Sequence, residues 1–189
     1  MEAVQNPRPV RSAPVERLDT IPFRRLVWLL PIALAAHEAE EWNIQRWYRA
    51  EFTNPPQSTR AATYLGLSTV TLAGFGWTAM SRRLRSDHAT AMALLPFFVV
   101  LVFGNNLQHV YWTAAFRSYA PGVVTSALLG IPLTILVSRQ AVRRGLVSRR
   151  YVIALYILCI PLLVSTVLAG RTVFPLIERM HDFFSWLVA

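Results

Sequence analysis

Lysine is absent from this chain of 189 residues: all 19 basic side chains are arginine. Cysteine is nearly absent as well. The single Cys159 lies deep in an apolar run, which excludes an intrachain disulfide framework and a cysteine-built metal site and leaves packing as its role. Charged residues make up only 15% of the chain against 54% hydrophobic, a balance no ordinary water-soluble core requires. Also missing are a phosphate-binding glycine loop, a Gly-x-Ser-x-Gly elbow, a His-Glu-x-x-His pair and any haem or iron–sulfur cysteine pattern. Nucleotide and acyl-serine chemistry therefore have no foothold.

What is present is long apolar sequence punctuated by arginine. A net charge of +9 on a soluble protein would suggest nucleic acid as partner. Here the arginines sit between apolar runs, the pattern of a polytopic membrane protein whose cationic loops stay on the cytoplasmic side and face anionic lipid. The expected partners are thus membrane lipids and a hydrophobic small molecule, with no nucleic acid.

Residues 1–20 carry Pro7, Pro9 and Pro14 among Arg8, Arg11 and Arg17, and read as a disordered basic cytoplasmic tail. The first apolar run, Leu26 to Ala36, imitates a signal peptide but is followed by four more apolar segments, at about 61–80, 89–116, 121–138 and 151–169. Arginines number five up to Arg25, three at 82–85 and five at 139–150, thirteen on one side against six on the other, which puts the amino terminus inside. The expectation is an all-α polytopic transmembrane helical bundle: five spans over residues 21–171, then an amphipathic helix over 172–189, interfacial or a sixth span. Its apolar stripe is Val173, Leu176, Ile177, Met180, Phe183, Phe184 and Leu187.

Phe23 to Ala36 offers fourteen mostly apolar residues, a rise of about 21 Å that falls short of the ~30 Å of hydrocarbon. The helix must continue through His37-Glu38-Ala39-Glu40-Glu41-Trp42, which brings four ionisable groups into the outer half of the bilayer. Charges there are costly unless paired, metal-bound or hydrated, so the cluster is a functional-site candidate. Spacings of three and four place His37, Glu40 and Glu41 on one face, with Glu38 about 100° away. The plainer alternative is a solvated cap with Trp42, Trp47 and Tyr48 as an aromatic belt. The third span carries Asn105, Asn106, Gln108 and His109 roughly 24 Å above its cytoplasmic start, a matching depth. Asn105 and Asn106 can join His109 at one point, or the patch can simply hold helices together.

Two histidines with one or two carboxylates are what zinc or iron ligation requires. We expect a divalent metal, zinc or iron, on His37, Glu41 and His109, with Glu40, Glu41 and Asn106 as the catalytic groups, Glu40 as general base, and Asn105 and Glu38 as further polar site residues. Arg117 and Tyr119 flank the turn before Pro121-Gly122, where an arginine can meet a headgroup or merely snorkel. His88 belongs to an inner loop and reads as solvated; His181 sits on the terminal helix, on its polar face or leaning over the outer site.

His37-Glu38-Ala39-Glu40-Glu41 resembles the signature of the HXXEE family of small bacterial integral membrane proteins. Asn-Asn-x-x-His at 105–109 and Arg117-x-Tyr119-x-Pro121-Gly122 resemble the family's second polar helix and following turn, so the likeness covers about Phe23 to Ser138. It implies a multi-span helical domain in the bacterial inner (cytoplasmic) membrane, with histidines and glutamates in an enzymatic role, and supplies no substrate. The leading functional expectation is a metal-dependent membrane hydrolase, isomerase or oxidoreductase acting on a lipid-like molecule entering from the outer leaflet. The alternatives are a metal-free acid–base isomerase or cyclase of an isoprenoid, a small transporter or metal-binding membrane protein, and a purely structural polar core.

Overall fold

Proline and small polar residues decide where this chain turns. In the computed structural model, which describes residues 20–173 and 175–189, every regular element among them is helical and none is a strand. A short turn at Phe23–Leu26 leads into α1 (Leu29–Glu40), a single 3-10 turn (Glu41–Asn43) and α2 (Ile44–Glu51). Then follow α3 (Arg60–Ser81), α4 (Asp87–Phe116), α5 (Val123–Arg143), α6 (Arg149–Ala169) and α7 (Pro175–Val188). Thr59, Ser86 and Ser148 cap α3, α4 and α6, each accepting a backbone N–H three residues on at 3.1 Å. The expected tail at residues 1–20 lies outside the described residues except for Thr20.

Among the described residues three helices, α4, α5 and α6, are long and apolar enough to cross a membrane. They show bare hydrocarbon outward: Leu168 is 81% and Leu128 69% exposed, as lipid-facing positions would be. Each is interrupted next to a proline. The helix widens to π geometry over Pro96–Phe103 in α4 and over Ser126–Gly130, before Pro132, in α5, and α6 breaks at Cys159 before Pro161. In α4 and α5 the widened turns adjoin the polar residues described below.

The five expected spans resolve differently at the start. α1 is a twelve-residue helix, and α3, although 22 residues long, is diluted by Ser, Thr and Gly and falls short of the other three in apolar character. The continuation through Glu41–Asn43 is helical but tightens to 3-10. α7 packs along α3, with Phe184 against Gly66. A feature not anticipated is α2, which carries Ile44, Trp47 and Tyr48 inward.

Two apolar cores result. One joins α1, α4, α5 and α6 through residues such as Leu30, Leu94, Phe98, Val137 and Leu155. The other packs α2 against α4 through Trp47, Tyr48, Phe52 and Trp112. The polar residues of α1 and α4 lie between them.

Candidate functional site

α1, α4 and the start of α5 meet where each carries polar side chains. His37 on α1 is 1% exposed, and its Nδ1 lies 3.1 Å from the Gly122 carbonyl oxygen, with the Thr125 and Ser126 hydroxyls at 3.2 and 3.3 Å. A carbonyl only accepts, so Nδ1 carries a proton and Nε2 faces the other way. There it meets the Asn105 side-chain amide at 3.0 Å and Glu41 Oε1 at 2.9 Å. The same oxygen lies 2.8 Å from His109 Nε2.

One carboxylate oxygen thus sits between two imidazoles whose rings stand edge to face at 4.7 Å. Glu41 is 7% and His109 2% exposed. A carboxylate so buried needs a positive partner, and a lone pair facing a carboxylate oxygen needs a proton or cation between them. The ligand atoms of His37, Glu41 and His109 lie within 4.8 Å of one another, and two imidazole nitrogens with a carboxylate oxygen suit zinc or iron. The Nδ1–H to carbonyl bond of His37 is the usual support for an imidazole that binds metal through Nε2. These residues fit a divalent ion.

The backbone of α5 completes the cluster. A Cβ on Gly122 would come within 2.6 Å of His37 Cε1, 3.0 Å of His109 Nδ1 and 3.1 Å of Glu41 Oε1, and its φ of +95° is one that L side chains rarely adopt. Gly122 is therefore required twice, for the turn and for the close approach.

The remaining expected residues divide. Asn105 joins the cluster through His37. Glu40 turns away toward α5: its Oε1 accepts from the Val124 amide at 3.1 Å and from the Tyr119 hydroxyl, its Oε2 from the Thr125 amide at 2.8 Å and hydroxyl at 2.6 Å. That capping geometry gives the expected general-base role of Glu40 no support. The Tyr119 phenol, bonded to Glu40, is pushed up to about 12. Asn106 faces Gly130 of α5, donates to the Val102 carbonyl at 2.8 Å and does not join the cluster. Arg117 ends α4 in the left-handed conformation, exposed and outside it. His88 lies against the Leu146 carbonyl oxygen at the opposite end of the bundle.

Glu38, Glu41 and His109 instead form part of the wall of a cavity of about 500 Å³ lined by α1, α2, α3, α4, α6 and α7. Most of its lining is apolar. Glu38 is 8% exposed and has no hydrogen-bond partner among the described residues. Four contributors were not read from sequence: Gly122, Thr125 and Ser126 around His37, and Tyr48 on the cavity wall. Glycine at the turn and hydroxyls three and four residues later were their faint signal.

Residues 28–137 match the family model described as a protein of unknown function with HXXEE motif. The match takes in α1 to most of α5, including every residue of the His37, Glu41 and His109 cluster, while α6 and α7 lie beyond it. No curated protein and no solved structure matches the chain. With the match extending over more than half of its length, the chain belongs to the HXXEE family.

Proposed function

We propose that this protein is a membrane-embedded, metal-dependent enzyme acting on a hydrophobic, lipid-like molecule. The observation that carries this reading is that a buried cluster of two histidines and a carboxylate reaches, through Glu41 and His109, the wall of a largely apolar cavity. In this reading α1 and α3 join α4, α5 and α6 as five spans in a bacterial inner membrane with the amino terminus cytoplasmic, the short α1 being completed by the 3-10 turn that presents Glu41. α7 closes the cavity from the outer side.

His37, Glu41 and His109 would hold the ion, zinc or iron, which when bound supplies Lewis-acid polarisation of a substrate oxygen or an activated water. Gly122 and Thr125 fix the His37 ring; Glu40 fixes the segment that carries them. Of the two carboxylates on the cavity wall, Glu38 is the one outside the cluster, and it takes the proton-transfer role in place of Glu40.

The test is elemental analysis of detergent-purified protein, together with lipid conversion by wild type and a His37→Ala/His109→Ala double variant. Near-stoichiometric zinc or iron and a lipid product, both lost in the variant, are the expected result. Equal metal content in the two proteins sinks the metal reading, and metal with uptake but no product makes the site a transporter's. A second reading has its own support: 2.8 and 2.9 Å are hydrogen-bond distances, as a Glu41 carboxylate between protonated imidazoles would give in a metal-free acid–base isomerase. Chelator-insensitive conversion would select it.

A further inference from the structure

Among the described residues the cavity wall contains no arginine, although the chain has 19. Its ionisable groups are Glu38 and Glu41 with the imidazoles of His109 and His181 and the phenol of Tyr48. A phosphate or carboxylate headgroup entering this space would leave water for an apolar enclosure with no guanidinium to receive it and two carboxyl groups facing it. An ion held by His37, Glu41 and His109 would be partly neutralised by Glu41 and would face Glu38. Anionic amphiphiles are thereby disfavoured.

Neutral oxygen is catered for. The Tyr48 hydroxyl has no hydrogen-bond partner among the described residues, and Tyr48, 4% exposed as a residue, lines the cavity, where a bound oxygen can supply that partner. Beside it His181 stands edge to face on the Tyr48 ring at 5.9 Å. Gln45 Nε2 lies 3.2 Å from His181 Nδ1, the nearer ring nitrogen, and Gln45 Oε1 is buried without a partner. Of these groups Tyr48 and His181 line the cavity together with Glu41 and His109, whereas Gln45 lies behind them, outside the lining. Below them the cavity follows α3 from Ala62 to Ala73, about 16 Å of helix. Ile177, Met180, His181 and Phe184, one helical face of α7, form its other side.

We propose that the cavity binds an uncharged single-chain amphiphile carrying one hydroxyl or carbonyl oxygen. Tyr48 and His181 hold that oxygen beside the His37, Glu41 and His109 cluster, and the chain lies along α3. This deepens the reading of the cluster as an active site and rests on it. It also gives a role to α7, which lies outside the family match, because His181 and the apolar face around it set which molecules reach the cluster.

The test uses full-length protein in uncharged detergent and a brominated eighteen-carbon series: dibromo-octadecanol, the matching carboxylate and the matching alkyl phosphate. Binding is read by quenching of tryptophan fluorescence, since Trp112 lines the cavity. The alcohol is expected to bind at least tenfold more tightly than either anion. Tyr48→Phe and His181→Gln are each expected to weaken the alcohol roughly three- to tenfold, the worth of one neutral hydrogen bond, with metal content unchanged. Equal or tighter binding of an anion, or unchanged alcohol affinity in both variants, overturns the proposal. Metal content separates the two readings: metal without a preference for the alcohol removes this inference alone, and a preference for the alcohol without metal removes the metal reading alone.

Discussion

Glu40 and Thr125 are joined twice: the Thr125 amide and hydroxyl both donate to Glu40 Oε2, at 2.8 and 2.6 Å. Glu41, the next residue, faces the two histidines. The adjacent glutamates of the motif thus do different work. Glu41 belongs to the cluster, whereas Glu40 satisfies the exposed amides at the start of α5 as an N-cap side chain would, supplied here from another helix. Through α5 it fixes the Gly122 carbonyl that orients His37.

Glu40→Ala should therefore act first on stability. Removing the acceptor of two amides and two hydroxyls is expected to cost about 1–3 kcal/mol, seen as a lower midpoint of thermal unfolding in detergent. Glu40→Gln keeps one acceptor oxygen and should retain metal and much of the activity. If Glu40→Gln abolished turnover in a protein that remains folded and metal-loaded, Glu40 would be the base and the positioning role would fail.

Gly122→Ala should be far more damaging than Gly145→Ala, although both glycines have positive φ, +95° and +67°. At Gly145 an added Cβ meets nothing within 4 Å, so backbone strain of about 1 kcal/mol is the whole cost. At Gly122 the same atom presses on His37, His109 and Glu41. Metal content and thermal midpoint measured on both variants check this: Gly145→Ala keeps its metal and Gly122→Ala loses it. Similar behaviour of the two would remove Gly122 from the site.

The Tyr119 phenol offers an optical check of the Glu40 contact. Its proton is held up to about 12 because the Glu40 carboxylate accepts it, against an ordinary value of 10. A pKa raised on folding gives a contribution present in full below pH 10 and lost as pH rises through 12. The difference in tyrosinate absorbance between wild type and Tyr119→Phe should accordingly appear near pH 12. In a Glu40→Gln background the same difference should fall toward pH 10; an unmoved titration would mean that the bond to Glu40 is not formed in solution.

The extents of α3 to α6 were legible because apolar runs of span length bounded by arginine, serine or proline have few other solutions. His37, Glu41 and His109 were legible for a different reason: a first apolar run too short to span forced polar residues to a depth that only Asn105 to His109 shared. The different placements of Glu38 and Glu40 were not. At about 100° per residue Glu40 falls roughly 60° to one side of His37, while Glu41 and Glu38 fall about 40° and 100° to the other. Grouping three- and four-residue spacings as one face hid that difference, which puts Glu40 on α5 and Glu38 on the cavity. Gly122 acts through a carbonyl and a missing side chain, and neither leaves a periodic trace. The cavity, built from six helices, has none either.

Chelation provides the last test, since it acts on the cluster without mutation. A ligand that binds only the folded state stabilises it by RT ln(1 + [L]/Kd), about 2.7 kcal/mol at a hundredfold excess over Kd. Removing the ion from wild type should therefore lower the thermal midpoint, and adding zinc or iron should restore it. The His37→Ala/His109→Ala variant should unfold at one temperature whether chelated or not, because Glu41 alone cannot retain the ion. Should chelator leave the wild-type midpoint unmoved, Glu41 Oε1 would be balanced by protons on the two imidazoles rather than by metal. Mutating either histidine would then leave a buried carboxylate with half its compensation, and the loss of stability from one such change should approach that of both.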